Sequence, residues 1–66
     1  RRITMCLSTV YTLRGNDKQE ICKNVAAMKK EGDQLIFTDI LGVPTAVTGT
    51  IEKIDLMDNL IFVRQN

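Results

Sequence analysis

Hydrophobic and polar positions alternate from the start of the chain. In Met5-Cys6-Leu7-Ser8-Thr9-Val10-Tyr11-Thr12-Leu13, the side chains of Met5, Leu7, Tyr11 and Leu13 fall on one face at period two, which predicts a half-buried strand. Arg14-Gly15-Asn16-Asp17 then supplies glycine and Asx residues that tolerate left-handed backbone angles, so the strand ends in a turn. Two periods compete in the next stretch. Asp17 with Glu20 forms a capping-box pattern, and Ile21, Val25 and Met28 recur at helical spacing before Gly32, which favours a short helix. Against it, Ile21, Val25 and Ala27 share one face of a strand. Glu31-Gly32-Asp33 also suits a tight hairpin turn into Leu35-Ile36-Phe37, a strongly β-forming run. The strand reading is preferred.

Asp39-Ile40-Leu41-Gly42-Val43-Pro44 reads as a reversal, because proline lacks a ladder donor and biases the residue before it toward an extended conformation. Thr45 to Leu56 reads as one long strand bent at Gly49, as small barrels need at their corners. Met57-Asp58-Asn59 makes a last turn into Leu60-Ile61-Phe62-Val63. The prediction is an all-β domain of five or six short strands, and so many strands in so short a chain fit a small curled barrel better than an open sheet.

Sixty-six residues form a single domain spanning 1–66, with residues 1–4 read as an extension upstream of Met5. A core of this size supplies only about 3–5 kcal/mol and is usually assisted by disulfides, a metal or a partner subunit. No secretory segment precedes the two cysteines, Cys6 and Cys22, so a reducing, cytoplasmic setting is expected, and metal or oligomerisation is the expected assistance. No apolar run approaches the length of a membrane span. Nine basic and eight acidic side chains leave a formal charge of +1, which gives no general attraction for nucleic acid or anionic lipid.

Histidine is absent, which removes ordinary triads and histidine metal sites and argues against an enzyme. The carboxylates are isolated at turns or on alternating strand positions and read as solvated charge. The glycines form no phosphate-cradling cluster. Lys23, Lys29 and Lys30 have no aromatic residues interleaved with them as stacking platforms, and Tyr11, Phe37 and Phe62 are expected in the core. The thiols remain. Period two turns Cys6 away from the face of Leu7 and Tyr11, which makes an accessible thiolate plausible beside the alternative of a buried residue. Cys22, with no partner at metal-ligand spacing, is expected to be a small core hydrophobe.

Met5-Cys6-Leu7-Ser8-Thr9-Val10-Tyr11, then Lys23-Asn24-Val25-Ala26, then Glu31-Gly32-Asp33 leading into Leu35-Ile36-Phe37-Thr38-Asp39-Ile40-Leu41-Gly42, resembles the CooT family of small nickel-binding proteins. The likeness runs from Met5 to about Val63 and includes the Gly49-Ile51 and Ile54-Asp55 region. It implies a small SH3-like β-barrel assembled as a homodimer. It also implies that Cys6, directly after Met5, is the ligand of Ni(II), with a nickel-enzyme maturation protein as partner. Removal of Met5 would free the Cys6 amine, whose pKa of about 8 lies near that of the thiol at about 8.5, so nickel could displace both protons. Two such chelates at a two-fold axis would complete a square-planar set of nitrogens and sulfurs. Residues 1–4 depart from this pattern, since while they are present Cys6 has no free amine. Two alternatives stand beside nickel binding: an RNA-binding module, a label that members of the family have carried, and a structural domain that recruits another protein at its sheet edge.

Overall fold

The computed structural model describes residues 7–65. Six strands follow one another: β1 (Ser8–Arg14), β2 (Asp17–Glu31), β3 (Gln34–Asp39), β4 (Pro44–Thr48), β5 (Thr50–Asp55) and β6 (Leu60–Arg64). They form one sheet in the order β4-β3-β2-β1-β6-β5, and no helix occurs among the described residues. The contest over residues 17–31 therefore goes to the strand. Its two halves have different neighbours, which explains its 15-residue length. Residues up to Val25 pair with β1, and Val25 onward pairs with β3. Between the halves Asn24 takes a left-handed φ of 57°, a conformation asparagine tolerates better than most residues. The expected hairpin is present: Gly32, at φ 63°, and Asp33 separate the paired residues Glu31 and Gln34.

The segment read as one bent strand, Thr45 to Leu56, is instead two strands on opposite edges of the sheet. Gly49 alone joins β4 to β5, so the sheet must curl until its edges meet. It is not closed, because β4 and β5 share no ladder among the described residues. The corner requires glycine for lack of room: a Cβ at Gly49 would stand 2.7 Å from the Arg64 carbonyl oxygen and 2.8 Å from Val63 Cγ1. Pro44 opens edge strand β4, where a missing N–H is tolerated.

Inside the curl lie Val10, Val25, Leu35, Phe37, Val47, Ile61 and Val63, with Ile21, Cys22 and Ile51 packed against them. This corrects the reading of β1 and of two aromatics. The inward face of β1 is that of Val10 and Thr12, both buried, and not that of Leu7, Tyr11 and Leu13. Phe37 is in the core as expected, at 1% exposed. Tyr11 and Phe62 are half-buried on the outer face, facing each other across the parallel β1–β6 ladder. Their rings stack with centroids 5.6 Å apart, and Lys18 Nζ lies 5.0 Å from the Tyr11 centroid and 6.0 Å from that of Phe62. The stack and the lysine stem cover apolar area that the core does not reach.

Candidate functional site

The chain enters β1 on a row that crosses five strands. Asp39 pairs with Val25, Val25 with Ser8, Thr9 with Leu60, and Leu60 with Asp55. Cys6, the predicted metal ligand, lies outside the described residues. Two peptide units tie it to Ser8, so its Cα lies no more than about 7 Å from that of Ser8. The ground for expecting an accessible thiolate falls with the corrected face of β1. The two register shifts between Ser8 and Tyr11 also prevent alternation from being extrapolated back to position 6.

Two turns flank this entry point, and an aspartate organises each. In residues 40–43, Asp39 Oδ1 accepts hydrogen bonds from the N–H groups of Leu41 at 2.9 Å and Val43 at 3.0 Å. The Ile40 N–H donates to the Asn24 carbonyl at 2.9 Å, which ties the turn to the bend in β2. In residues 56–59, Asp55 Oδ1 accepts from the N–H groups of Met57 and Asp58, each at 3.0 Å. The Asn59 carbonyl accepts from the Thr9 N–H at 2.9 Å, which ties that turn to β1. Such carboxylate-to-backbone bonds fix the turn locally. Their consequence is unusual: Leu41, Leu56 and Met57 point outward at 84, 82 and 93% exposure, with Ile40, Val43 and Ile54 about half exposed. The sequence reading placed both turns but missed this surface. The available signal was an Asx residue followed by apolar rather than polar turn residues.

The other possible metal donors do not gather into a site. Among the described residues no three Cys, Asp, Glu or His side chains converge on a possible metal position. Cys22 is half-buried against the core. Burial first, and then the carboxylates of Asp39 and Glu20, push its thiol up from the usual range, which opposes the thiolate that metal binding needs. Glu20, Glu31 and Glu52 pair with Lys23, Lys29 and Arg64 at 3.7, 2.9 and 2.7 Å. The Arg64 guanidinium bonds both oxygens of Glu52 and holds that carboxyl below its usual range. The lysines considered for phosphate binding are thus partly engaged with glutamates, while the lysine that does meet aromatic rings, Lys18, was not among them.

Comparison with known proteins agrees with this architecture. A family model described as CO dehydrogenase accessory protein CooT matches residues 5–64. Uncharacterized protein MJ1551 of Methanocaldococcus jannaschii is 32% identical over 59 residues, covering 89% of this chain and 96% of that protein. A crystal structure bearing the CooT name, from Carboxydothermus hydrogenoformans, superposes with a TM-score of 0.84 at 16% identity, over 92% of this chain and 98% of the other. At that identity the superposition speaks for the fold.

Proposed function

Because the chain belongs to the CooT family, described as CO dehydrogenase accessory proteins, we propose that it carries nickel as cargo toward the assembly of a nickel enzyme and is not itself a catalyst. The single observation that supports this most is the span of the family match, which begins at Met5 and so makes Cys6 the second residue of the shared domain. In this reading Cys6 supplies a thiolate to Ni(II). Cys22 stays a protonated thiol, since its burial and the neighbouring carboxylates favour the neutral form.

One thiolate and its adjacent nitrogen cannot fill a four-coordinate site, so the cargo is held between two chains, each an SH3-like barrel, in a homodimer. A reduced thiol and a nickel-enzyme partner place this work in the cytoplasm. With residues 1–4 present the nitrogen donor is a backbone amide. Without them and Met5 it is the Cys6 amine, whose proton leaves more readily, and binding is tighter.

The test is a Ni(II) titration of the chain as it stands and of a form beginning at Cys6, followed by thiolate-to-nickel charge-transfer absorbance. Saturation at one nickel per two chains, lost in Cys6→Ser and kept in Cys22→Ser, is the expected result. Absence of a cysteine-dependent band in both forms would remove nickel from the function.

A further inference from the structure

We propose that the free edge of β4 is a docking site for an extended peptide segment of another protein, which adds to the sheet as a further strand. The open sheet ends in β4 on one side and β5 on the other, and the two edges are finished differently. β5 carries Glu52, Lys53 and Asp55 and a bulge between Ile51 and Lys53, the usual devices against further pairing. β4 reads Pro-Thr-Ala-Val-Thr. It alone among the six strands has no charged residue, and its register with β3 runs without a shift. Pro44 removes a single donor at its start, and the threonines and Val47 that follow are strong strand formers.

The phase of the β3–β4 ladder shows which backbone groups are open. The Asp39 N–H donates to the Val43 carbonyl at 3.1 Å. In this antiparallel register the bonded pairs are therefore the alternate ones, Phe37 with Thr45 and Leu35 with Val47. Pro44, Ala46 and Thr48 direct their backbone groups away from β3. Gln65 agrees with this direction, since its side-chain amide donates to the Thr48 carbonyl at 3.2 Å. Among the described residues the Ala46 N–H and C=O, the Pro44 C=O and the Thr48 N–H have no hydrogen-bond partner. An antiparallel peptide, the more stable direction per residue, meets all of them: its residue opposite Ala46 exchanges both bonds, and its neighbours two positions away reach Pro44 and Thr48.

The space beside this edge selects the occupant. Between β4 and the first half of β2 the curl leaves a cavity of about 360 Å³, lined chiefly by Thr12, Gln19, Ile21, Thr45, Val47 and Gln65. That volume lies at the small end of ligand sites and takes the side chains of one strand, not the edge of a second folded sheet. Ala46 is exposed, whereas Val47 is buried and Thr45 half-buried, and residues opposite one another in a ladder share a face. The peptide residue opposite Ala46 therefore points to solvent, and those opposite Thr45 and Val47 point into the cavity. No charged residue lines it, so a charged side chain at either inward position would lose its hydration without gaining a partner. The segment recognised is uncharged, with a small apolar residue such as valine on each side of a polar one. The site includes neither Cys6 nor the turns at 40–43 and 56–59, so it stands apart from the nickel reading.

The experiment titrates end-capped hexapeptides of alternating valine and threonine into isotope-labelled protein and follows the backbone amides by NMR. The same peptide is also made with its threonines N-methylated, which removes the N–H groups that face β4, and with its valines N-methylated, which removes those that face away. The protein variants are Ala46→Pro, which deletes the open donor at an edge position where proline is tolerated, Gln19→Trp, which fills the cavity from an exposed position, and Lys53→Thr on β5 as control. The expected result is saturable shifts at Ala46 and Thr48 with a dissociation constant of about 1 mM or tighter. Binding should weaken about ten-fold or more in Ala46→Pro and Gln19→Trp and with the threonine-methylated peptide. It should be unchanged in Lys53→Thr and with the valine-methylated peptide. If Ala46→Pro fails to fold, Gln19→Trp and the two methylated peptides decide. The proposal is overturned if Ala46 and Thr48 do not shift, or if the two methylated peptides bind alike. It is equally overturned if no peptide binds while Ala46→Pro alters the oligomeric state in sedimentation velocity, since the edge is then covered by a second copy.

Discussion

The two ends of the β1–β6 ladder are built from similar parts and do opposite things. Where β1 finishes, Arg64 bonds Glu52 and donates to the Gly15 carbonyl at 3.2 Å. The Gln65 amide N–H meets the Leu13 carbonyl at 2.8 Å, and its side chain donates to the Thr48 carbonyl at 3.2 Å. Gly49 is pressed against the Arg64 backbone. Arg64 and Gln65 there reach across to other parts of the sheet. Where β1 begins, the carboxylates bond only within their own turns, and apolar side chains stand in solvent. The first arrangement draws the curled sheet together. The second leaves apolar side chains standing at the rim of the sheet.

The comparison is broken most severely by Gly49→Val, which drives side-chain atoms into the Arg64 carbonyl and Val63. Overpacking of this kind typically costs about 1–3 kcal/mol, and at about 4–8 °C per kcal/mol in so small a domain the thermal midpoint should fall by about 10 °C or more in a melting experiment. An unchanged midpoint would show that the corner is looser than described. At the other end, Asp55→Ala removes the acceptor of two backbone N–H groups. A loss of about 1–2 kcal/mol should appear as a lower urea midpoint with an unchanged denaturant slope.

Two smaller effects sharpen the contrast. Cys22, between the ends, has a raised pKa, so its neutral thiol favours the folded state. That contribution is complete below the unfolded thiol value of about 8.5 and is lost as pH rises through the higher folded value. In Cys6→Ser, Cys22 should therefore react with a disulfide reagent at pH 8 more slowly than an unfolded control, and the wild-type loss of stability above pH 9 should shrink in Cys22→Ala. The smallest effect belongs to Glu52, lowered chiefly by its hydrogen bond from Arg64. Its contribution is present above the unfolded carboxylate range of about 4.3 and disappears as pH falls through the folded value. Glu52→Gln should flatten that shallow acid limb in a pH series of melts and leave the neutral midpoint nearly unchanged.

Much of this was legible in the residues. Gly15, Gly32 and the Asp39–Pro44 reversal announced their turns, and β-branched and aromatic runs announced the strands between them. The failures arise where long-range arrangement overrides local pattern. A curled sheet gives some strands apolar side chains on both faces, so period two marked β1 as a strand but chose the face of Tyr11 and Leu13 over that of Val10 and Thr12. Only the parallel pairing with β6, a long-range fact, supplies Phe62 as the outer cover that makes Tyr11 tolerable there. Gly49 was recognised as a bend, yet a sequence cannot say that the bend carries the chain from one sheet edge to the other. At the site, the resemblance carried by Met5-Cys6 pointed to the family, whereas the apolar turns were passed over because turns are ordinarily polar.

The parallel pairing of β1 with β6 also sets the order in which the domain can come into being. The other strand pairs join neighbours in sequence and can form as soon as both members exist, but β1 has one flank empty until Leu60–Arg64 has been synthesised. Closing that long loop is entropically slow and comes late. The row at the start of β1 is therefore completed only when Thr9 meets Leu60, and a nascent chain still lacking β6 leaves one flank of β1 unpaired.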